Sequence, residues 1–313
     1  MFTNKYWVLI LKEPQLLLTI FLLIFMTFAS PYFLSIDNLL LVLRQASIVG
    51  IVTCGISWMM ISGSFDLSVG ALMSFISVTL VSMLEKGYDV TYTIIVGIFI
   101  GITAGLFNGI LVGKFKANPF LVTLGTMTIF QGLAFFSTGG LYYRVPRNST
   151  YFFIGDGFLG PLAVPSIIFL CIALIMHLIF VLTPFGVRVY ALGENEIAAK
   201  LSGIKVEKYR IIIYVVTGLT AAIAAMILSS RAGAGSHYLG LNYEFYAITA
   251  AVLGGNYIFG GTGSIARGVW GAMLLALLRN SLTLLGMEPP TQLIVEGIVT
   301  VSLVAVQVYG KQK

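Results

Sequence analysis

The residues of this sequence that could carry out chemistry are few and scattered. His177 lies alone in an apolar stretch, His237 lies in a more polar one, and neither has a cysteine or carboxylate at metal-ligand spacing. Cys54 and Cys171 both lie in apolar runs, which provides neither a disulfide framework nor a metal site. The glycine-rich run 260–264 lacks the lysine of a phosphate-binding loop, and no GxSxG or HExxH motif occurs. We therefore predict a protein that is not an enzyme and that uses no metal or cofactor.

Four charged residues stand out because apolar stretches flank them. Asp66 has two interpretations, a proton or cation site or a cap for the helix that follows, and the strong preference of Asp for N-cap positions favours the cap. Arg279 and Glu296 lie in neighbouring apolar stretches, so we expect a buried ion pair that fixes helix register. Glu244 opens another stretch and is expected at the outer membrane interface.

The composition requires that these residues be placed in a membrane. Hydrophobic residues make up 58% of the 313 residues and charged residues 10%, whereas a soluble domain has roughly 25% charged residues. A soluble chain of this length could not cover its surface with so few charges. We predict one polytopic membrane domain over 1–313. The net charge of +6 is explained by membrane topology, without a nucleic-acid partner.

Ten stretches are long enough to cross a bilayer as helices, which need about 20 mostly apolar residues. Eight contain no charged residue, and two contain one each, Arg279 and Glu296. Backbone groups in lipid must be hydrogen-bonded within their own segment or in a closed barrel, and no strand-like alternation is present. The sequence predicts an all-α fold with ten transmembrane helices. They fall at 14–36, 45–65, 67–84, 90–113, 117–143, 157–187, 211–230, 245–266, 268–287 and 289–310.

The cations predict the orientation. With ten spans and the N-terminus inside, 12 of the 18 lysines and arginines fall on the cytoplasmic side, including Lys5 and Lys12, and five fall outside. Excess positive charge marks cytoplasmic loops, so both termini are predicted inside. The long polar segment 184–210 is then cytoplasmic, and the loops 140–162 and 231–243 are external.

Two glycine patterns occur within the spans. Gly97, Gly101, Gly105, Gly109 and Gly113 recur every four residues, which predicts close packing against another helix. Polar and glycine-rich interruptions also occur at membrane depth, and transporters use broken helices near the substrate route. We therefore expect the translocation pathway at these breaks. The expected pathway residues are Phe65, Asp66, Ser68, Asn118, Phe120, Thr123, Gly254, Gly255 and Asn256.

The segment 184–210 carries a recognisable pattern of residues. Thr183 precedes it, and it contains Phe185-Gly186, Tyr190-Ala191, Gly193, Asn195, Ala198-Ala199 and Ser202-Gly203 in order. Three further segments accompany it: 66–70 (DLSVG), 118–127 (NPFLVTLGTM) and the stretch from Tyr243-Glu244 to Gly254-Gly255. Over nearly its whole length, the chain resembles the permease subunits of bacterial ABC importers for simple sugars, the ribose/xylose/galactose group. It departs from that family's pattern at Phe65, Glu194 and Tyr246.

The resemblance implies a translocation subunit in the bacterial inner membrane. Its implied partners are a cytoplasmic ABC ATPase, a second permease copy in a homodimer or heterodimer, a periplasmic or lipid-anchored solute-binding protein, and membrane lipid. The 184–210 loop would contain a short coupling helix, in which two alanines allow close packing on the ATPase and a Ser-Gly pair ends the helix. The implied coupling residues are Gly193, Glu194, Asn195, Glu196, Ala198, Ala199, Ser202 and Gly203.

The function predicted in this way is ATP-driven import of a monosaccharide or similar small polyhydroxy solute. The alternative is a stand-alone secondary carrier or channel for a small neutral solute. Ion-driven carriers normally have several carboxylates within the membrane, and this sequence offers two at most. This scarcity favours the importer subunit.

Overall fold

The structure, a computed structural model, describes residues 14–311. Within that range it is mostly helical, with 13 helices and four very short strands. Lys5 and Lys12, which support the prediction of a cytoplasmic N-terminus, lie outside the described residues. The helices are α1 (Pro14–Ala29), α2 (Ile36–Ile61), α3 (Val69–Glu85), α4 (Val90–Gly113), α5 (Pro119–Thr138), α6 (Phe152–Asp156), α7 (Val164–Leu182), α8 (Pro184–Glu194), α9 (Glu196–Leu201), α10 (Val206–Ala232), α11 (Tyr243–Leu253), α12 (Ile265–Leu284) and α13 (Pro289–Lys311).

Local capping explains where several of these helices begin. The carboxylate of Asp89 accepts hydrogen bonds from the N–H groups of Thr91 (2.8 Å) and Tyr92 (3.2 Å) at the start of α4. Ser264 accepts from the Arg267 N–H (3.1 Å) at the start of α12. These side chains satisfy donors that the first turn of a helix leaves without partners.

The predicted all-α membrane fold is confirmed, but the count of ten transmembrane helices is not. Five helices of the described chain, α2, α4, α5, α7 and α10, are long and apolar enough to cross a membrane. The predicted span 245–266 is not one helix, because α11 ends at Leu253 and the chain is non-helical until α12 begins at Ile265. At about 1.5 Å per residue, the 11 residues of α11 cover only about half of a hydrocarbon core about 30 Å thick.

Helices α2 and α10 form the centre of the fold. Both are mostly buried, and α2 packs against α7, α10, α11 and α12. Helix α5 has an exposed apolar surface that includes Leu121 and Phe136. A buried polar pair joins α2 to α12, since Asn38 and Asn280 donate to each other's side-chain oxygens at 3.0 and 2.8 Å. The central helices therefore form the core that the outer helices surround.

The glycine stripe of α4 packs against α10. A Cβ atom placed on Gly101 would overlap the carbonyl oxygen of Gly218, and one placed on Gly105 would overlap that of Tyr214. A Cβ atom placed on Gly109 would lie 2.9 Å from the Cα atom of Ile211. The predicted close packing is confirmed, and its partner helix is identified.

Four short strands form two small antiparallel sheets. β1 (Tyr142–Arg144) pairs with β4 (Ala234–Ser236), and β2 (Phe158–Leu159) pairs with β3 (Leu162–Ala163). The first pair joins the two loops that the sequence assigns to the outer side. That end of the molecule is called the strand end below.

Candidate functional site

The segment 184–210 folds as two short helices whose ends the sequence specifies. At the start of α8, Thr183 accepts a hydrogen bond from the Phe185 N–H (3.2 Å). At the start of α9, the Asn195 side chain accepts from the Ala198 N–H (3.0 Å). Helix α9 ends at Ser202-Gly203, where Gly203 has a φ of +82°, as the expected Ser-Gly stop requires. Asn195, Ser202 and Gly203 therefore shape α9.

The two faces of α9 differ in exposure. Ala199 is buried against its own chain, with 3% of its surface exposed, whereas Ala198 is exposed. The expectation that both alanines face a partner is thus corrected at Ala199. Ile197 and Leu201, four residues apart on a six-residue helix, are 74% and 84% exposed. The sequence reasoning overlooked these two residues, although two large apolar side chains in a polar segment were a usable signal.

The acidic residues of this segment have different surroundings. Glu196 forms an ion pair with Arg210 of α10, which ties α9 to the start of a central helix. Glu194 is exposed at the end of α8, close to Gly261.

A group of glycines joins α8 to the ends of the membrane helices. A Cβ atom placed on Gly193 would overlap the carbonyl oxygen of Ile61, the last residue of α2. The same carbonyl accepts a hydrogen bond from the Gly261 N–H at 3.0 Å. Gly260 in turn lies against Gly63, just beyond α2. Gly63, Gly193, Gly260 and Gly261 are called the glycine junction below.

Two side chains hold the break between α11 and α12 in place. Asn256 donates to the Ser57 hydroxyl (3.0 Å) and accepts from the Ser264 N–H (2.8 Å). Tyr190 of α8 donates to the carbonyl oxygen of Gly263. Of the expected pathway residues, Gly254 packs against the backbone of α12 at Arg267, and Gly255 follows it. Through these contacts the non-helical segment between α11 and α12 packs against α2, α8 and α12.

The break before α3 is also held by local hydrogen bonds. The carboxylate of Asp66 accepts from the N–H (2.8 Å) and the hydroxyl (2.6 Å) of Ser68, whose hydroxyl accepts from Asn108 of α4 (3.1 Å). The Tyr214 hydroxyl donates to the carbonyl oxygen of Phe65 (2.8 Å). Ser68 is the residue that precedes α3, so these bonds stabilise the turn before the helix, and Asp66 does not cap the N–H groups of the helix directly.

The third group of expected pathway residues lies at the start of α5. Asn118 caps that helix by accepting from the N–H groups of Phe120 (2.9 Å) and Leu121 (3.4 Å). Phe120 is 54% exposed, whereas Thr123 is buried and bonds to the Pro119 carbonyl. The glycine junction brings the first two breaks together. This third group stands on a separate helix, α5, which packs against α3.

The remaining charged residues divide into one confirmed and one corrected expectation. Arg279 and Glu296 form a two-pronged ion pair, with the second contact at 2.7 Å, as predicted. Glu244 is not at the outer end of the fold. It is buried, and its carboxylate lies against Gly70 in the first turn of α3, near Asp66. The cause is the shortness of α11, whose first residues lie deep in the molecule.

Comparison with known proteins places this architecture among transport permeases. Residues 38–304 match the family described as the branched-chain amino acid transport system / permease component. The ribose import permease protein RbsC of Bacillus subtilis is 38% identical over 279 residues, covering 89% of this chain and 87% of that protein. RbsC of Escherichia coli K12 is 32% identical, covering 99% and 96%.

A further relative has a different sugar in its name. The L-arabinose transport system permease protein AraH of Escherichia coli K12 is 34% identical, covering 85% of this chain and 81% of that protein. No solved structure matches the chain. The chain therefore belongs to this permease family, and it is a multi-pass inner-membrane protein.

Proposed function

We propose that the chain is the translocation subunit of an ATP-driven importer for a monosaccharide, and that α9 is the docking site for a separate ABC ATPase. The exposed apolar pair Ile197 and Leu201 carries the second part of the proposal. Two large apolar side chains on a six-residue helix outside the apolar helices are stabilised when a partner covers them. The ribose and arabinose permeases among the relatives support a small sugar as the solute.

The contacts behind α9 suit the transmission of force into the membrane helices. The Glu196–Arg210 pair joins α9 to α10, and Gly193 joins α8 to the end of α2 through backbone contact. A displacement of α9 and α8 by the ATPase would therefore be transmitted to both central helices, α2 and α10. At the strand end, the paired strands β1 and β4 would receive a solute-binding protein. A second permease copy would complete the pathway.

The docking proposal is tested with Ile197→Glu and Leu201→Glu in the full-length chain co-expressed with its ATPase. Each change places a charge in an interface that excludes water, so co-purified ATPase and ATP-driven uptake of ribose or arabinose should fall at least about tenfold. Leu141→Glu is the matched control, because Leu141 is 73% exposed at the strand end. It should retain the ATPase.

Two outcomes would contradict the proposal. Unchanged ATPase co-purification in both glutamate variants would remove α9 as the docking site. Uptake that persists in vesicles without ATP and responds to an ion gradient would instead favour the stand-alone carrier.

A further inference from the structure

A pocket of about 310 Å³ lies at the end of the molecule opposite the strands, beside the 184–210 segment. Its wall is formed by the end of α4, by α9 and by the first turn of α10. It is called the lysine pocket below. Four of the nine residues that line it are lysines: Lys116, Lys200, Lys205 and Lys208.

The lysine pocket carries an excess of positive charge. Its two carboxylates are those of Glu196, which is paired with Arg210 of α10, and of Glu207. In the part of the chain that the structure describes, none of the four lysines forms an ion pair, and all four are exposed. Four ammonium groups therefore share the pocket with one unpaired carboxylate, and the pocket attracts anions.

The backbone at the start of α10 adds to this attraction. Lys205 occupies the N-cap position of this 27-residue helix, and no side-chain hydrogen bond caps the helix there. The first N–H groups of a helix lack partners within it, and they carry the positive end of the helix dipole. The start of α10 is therefore suited to bind a phosphate oxygen.

The lysine pocket lies at the depth of lipid headgroups. Helix α4 is one of the five long apolar helices, and it ends at Gly113. Just beyond that end, Phe115 is 68% exposed between two exposed lysines, Lys114 and Lys116. An exposed aromatic ring beside lysines is typical of the boundary between membrane and water. The pocket is therefore within reach of a lipid phosphate.

An apolar row on α4 leads from the hydrocarbon to the pocket. Phe107 is 54% exposed, and Leu111, one turn farther along, is partly exposed. Each follows a glycine of the α4 stripe by two residues, a rotation of about 200°, so both lie on the side of the helix that faces away from α10. This row offers a surface for an acyl chain, which a free anion would not use.

We propose that the lysine pocket binds the phosphate group of an anionic phospholipid whose acyl chain lies along Phe107 and Leu111. Basic pockets between transmembrane helices bind the headgroups of acidic lipids in this way. The bound phosphate would hold three elements together, because Lys116 follows α4, Lys200 lies on α9 and Lys208 lies in the first turn of α10. The proposal depends neither on the transported solute nor on the ATPase.

The first test measures lipid binding to the purified full-length chain. The protein is delipidated in detergent and titrated with phosphatidylglycerol or with the zwitterionic phosphatidylcholine, and bound lipid is measured by native mass spectrometry. The anionic lipid should bind more tightly. Lys205→Gln/Lys208→Gln should weaken its binding about 25-fold, since one lysine near an anionic surface contributes roughly fivefold. Lys205→Arg/Lys208→Arg keeps both charges and should keep the binding.

Matched controls separate the pocket from general charge and hydrophobicity. Lys86→Gln/Arg147→Gln changes two exposed cations near the strand end and lowers the net charge by the same amount, so phosphatidylglycerol binding should be unchanged. Phe107→Gln should weaken lipid binding several-fold. Phe21→Gln, which changes a ring that is 60% exposed on α1, should not.

Inorganic phosphate is the probe for the other source of the same chemistry. Phosphate at the concentration of the lipid should leave the lipid bound, and displacement would assign the pocket to a soluble anion and overturn the lipid. Equal affinity for the two lipids, or unchanged phosphatidylglycerol binding in Lys205→Gln/Lys208→Gln, overturns the site. Thermal midpoints without lipid show that each variant is folded. If the glutamine variant unfolds, the comparison of Phe107→Gln with Phe21→Gln decides.

Discussion

Glycine brings the backbones of neighbouring elements into contact at two places in this protein, and the two contacts differ in kind. Between α4 and α10, Gly101 and Gly218 lie within continuous helices, and their backbones touch over several turns. At the glycine junction, Gly193, near the end of α8, meets Gly261 in a loop at the end of α2. The first contact joins two long regular helices along their length. The second joins the end of α8, the end of α2 and the loop before α12 at one point.

The difference indicates separate roles for the two contacts. A long seam of small residues resists displacement, because moving one helix past the other forces backbone into backbone. Helix ends and a loop that meet at one point can tilt relative to one another with little repacking of side chains. Gly261, with a φ of +75°, adopts a backbone conformation that other residues rarely accept. We infer that the α4–α10 seam is a rigid unit and the glycine junction is the place where the 184–210 segment moves α2.

The largest effect is expected from breaking the rigid seam with Gly218→Val. The added side chain overlaps the Gly101 carbonyl and the Gly105 N–H, and neither continuous helix can yield locally. Overpacking costs about 1–3 kcal/mol and occasionally more, and this site should be at or above the upper limit. The thermal midpoint in detergent and the yield of folded protein measure the loss. Gly125→Val on α5, where a Cβ meets nothing within 4 Å, should be tolerated, and equal losses in both variants would contradict the assignment.

A smaller loss of stability but a clear loss of transport is expected from Gly193→Ala. The methyl group overlaps the Ile61 carbonyl and displaces the Gly261 N–H from it. The chain ends can separate, so the protein should fold, but ATP-driven uptake should fall about tenfold, which corresponds to about 1.4 kcal/mol of coupling. Uptake and thermal midpoint are measured together, with Gly132→Ala as the control. A variant that loses stability in proportion to uptake would make the junction merely structural.

The smallest effect is expected from Tyr190→Phe, which sharpens the comparison within the junction. It removes only the hydroxyl that donates to the Gly263 carbonyl, and a single hydrogen bond contributes about 0.5–1.5 kcal/mol. The free energy of unfolding should fall by about 1 kcal/mol, with uptake reduced less than in Gly193→Ala. Tyr238→Phe removes a hydroxyl from an exposed ring at the strand end and should leave the free energy of unfolding unchanged. A larger loss of uptake in Tyr190→Phe than in Gly193→Ala would assign the coupling to the tyrosine.

Much of the fold could be predicted from the sequence, because hydropathy and glycine spacing are local signals. The α4 stripe predicted a close helix contact, and long apolar runs predicted most of the helices. The stretch 245–266 contains no charged residue, which predicts a single span. Its interruption depends on Gly254-Gly255 and on Asn256, which bonds to Ser57 about 200 positions earlier. Local hydropathy cannot reveal a contact between residues so far apart in the sequence.

The candidate site was predictable only where one residue acts on its neighbours. Asn195 and Gly203 cap and end α9 through local backbone geometry, and both were identified. Ile197 and Leu201 were a usable signal as apolar residues in a polar segment. Which side of α9 is buried depends on its packing against α8 and α10, which the six residues of the helix do not specify.

The half-length of α11 has a consequence for how the protein is made. An 11-residue helix flanked by non-helical chain leaves backbone groups that lipid cannot satisfy, so this segment has no stable place in a bilayer by itself. The contacts that cover it come from α2 and α3, which are synthesised earlier, and from α12, which follows. We therefore expect residues 243–264 to take up their final position only after α12 has been synthesised.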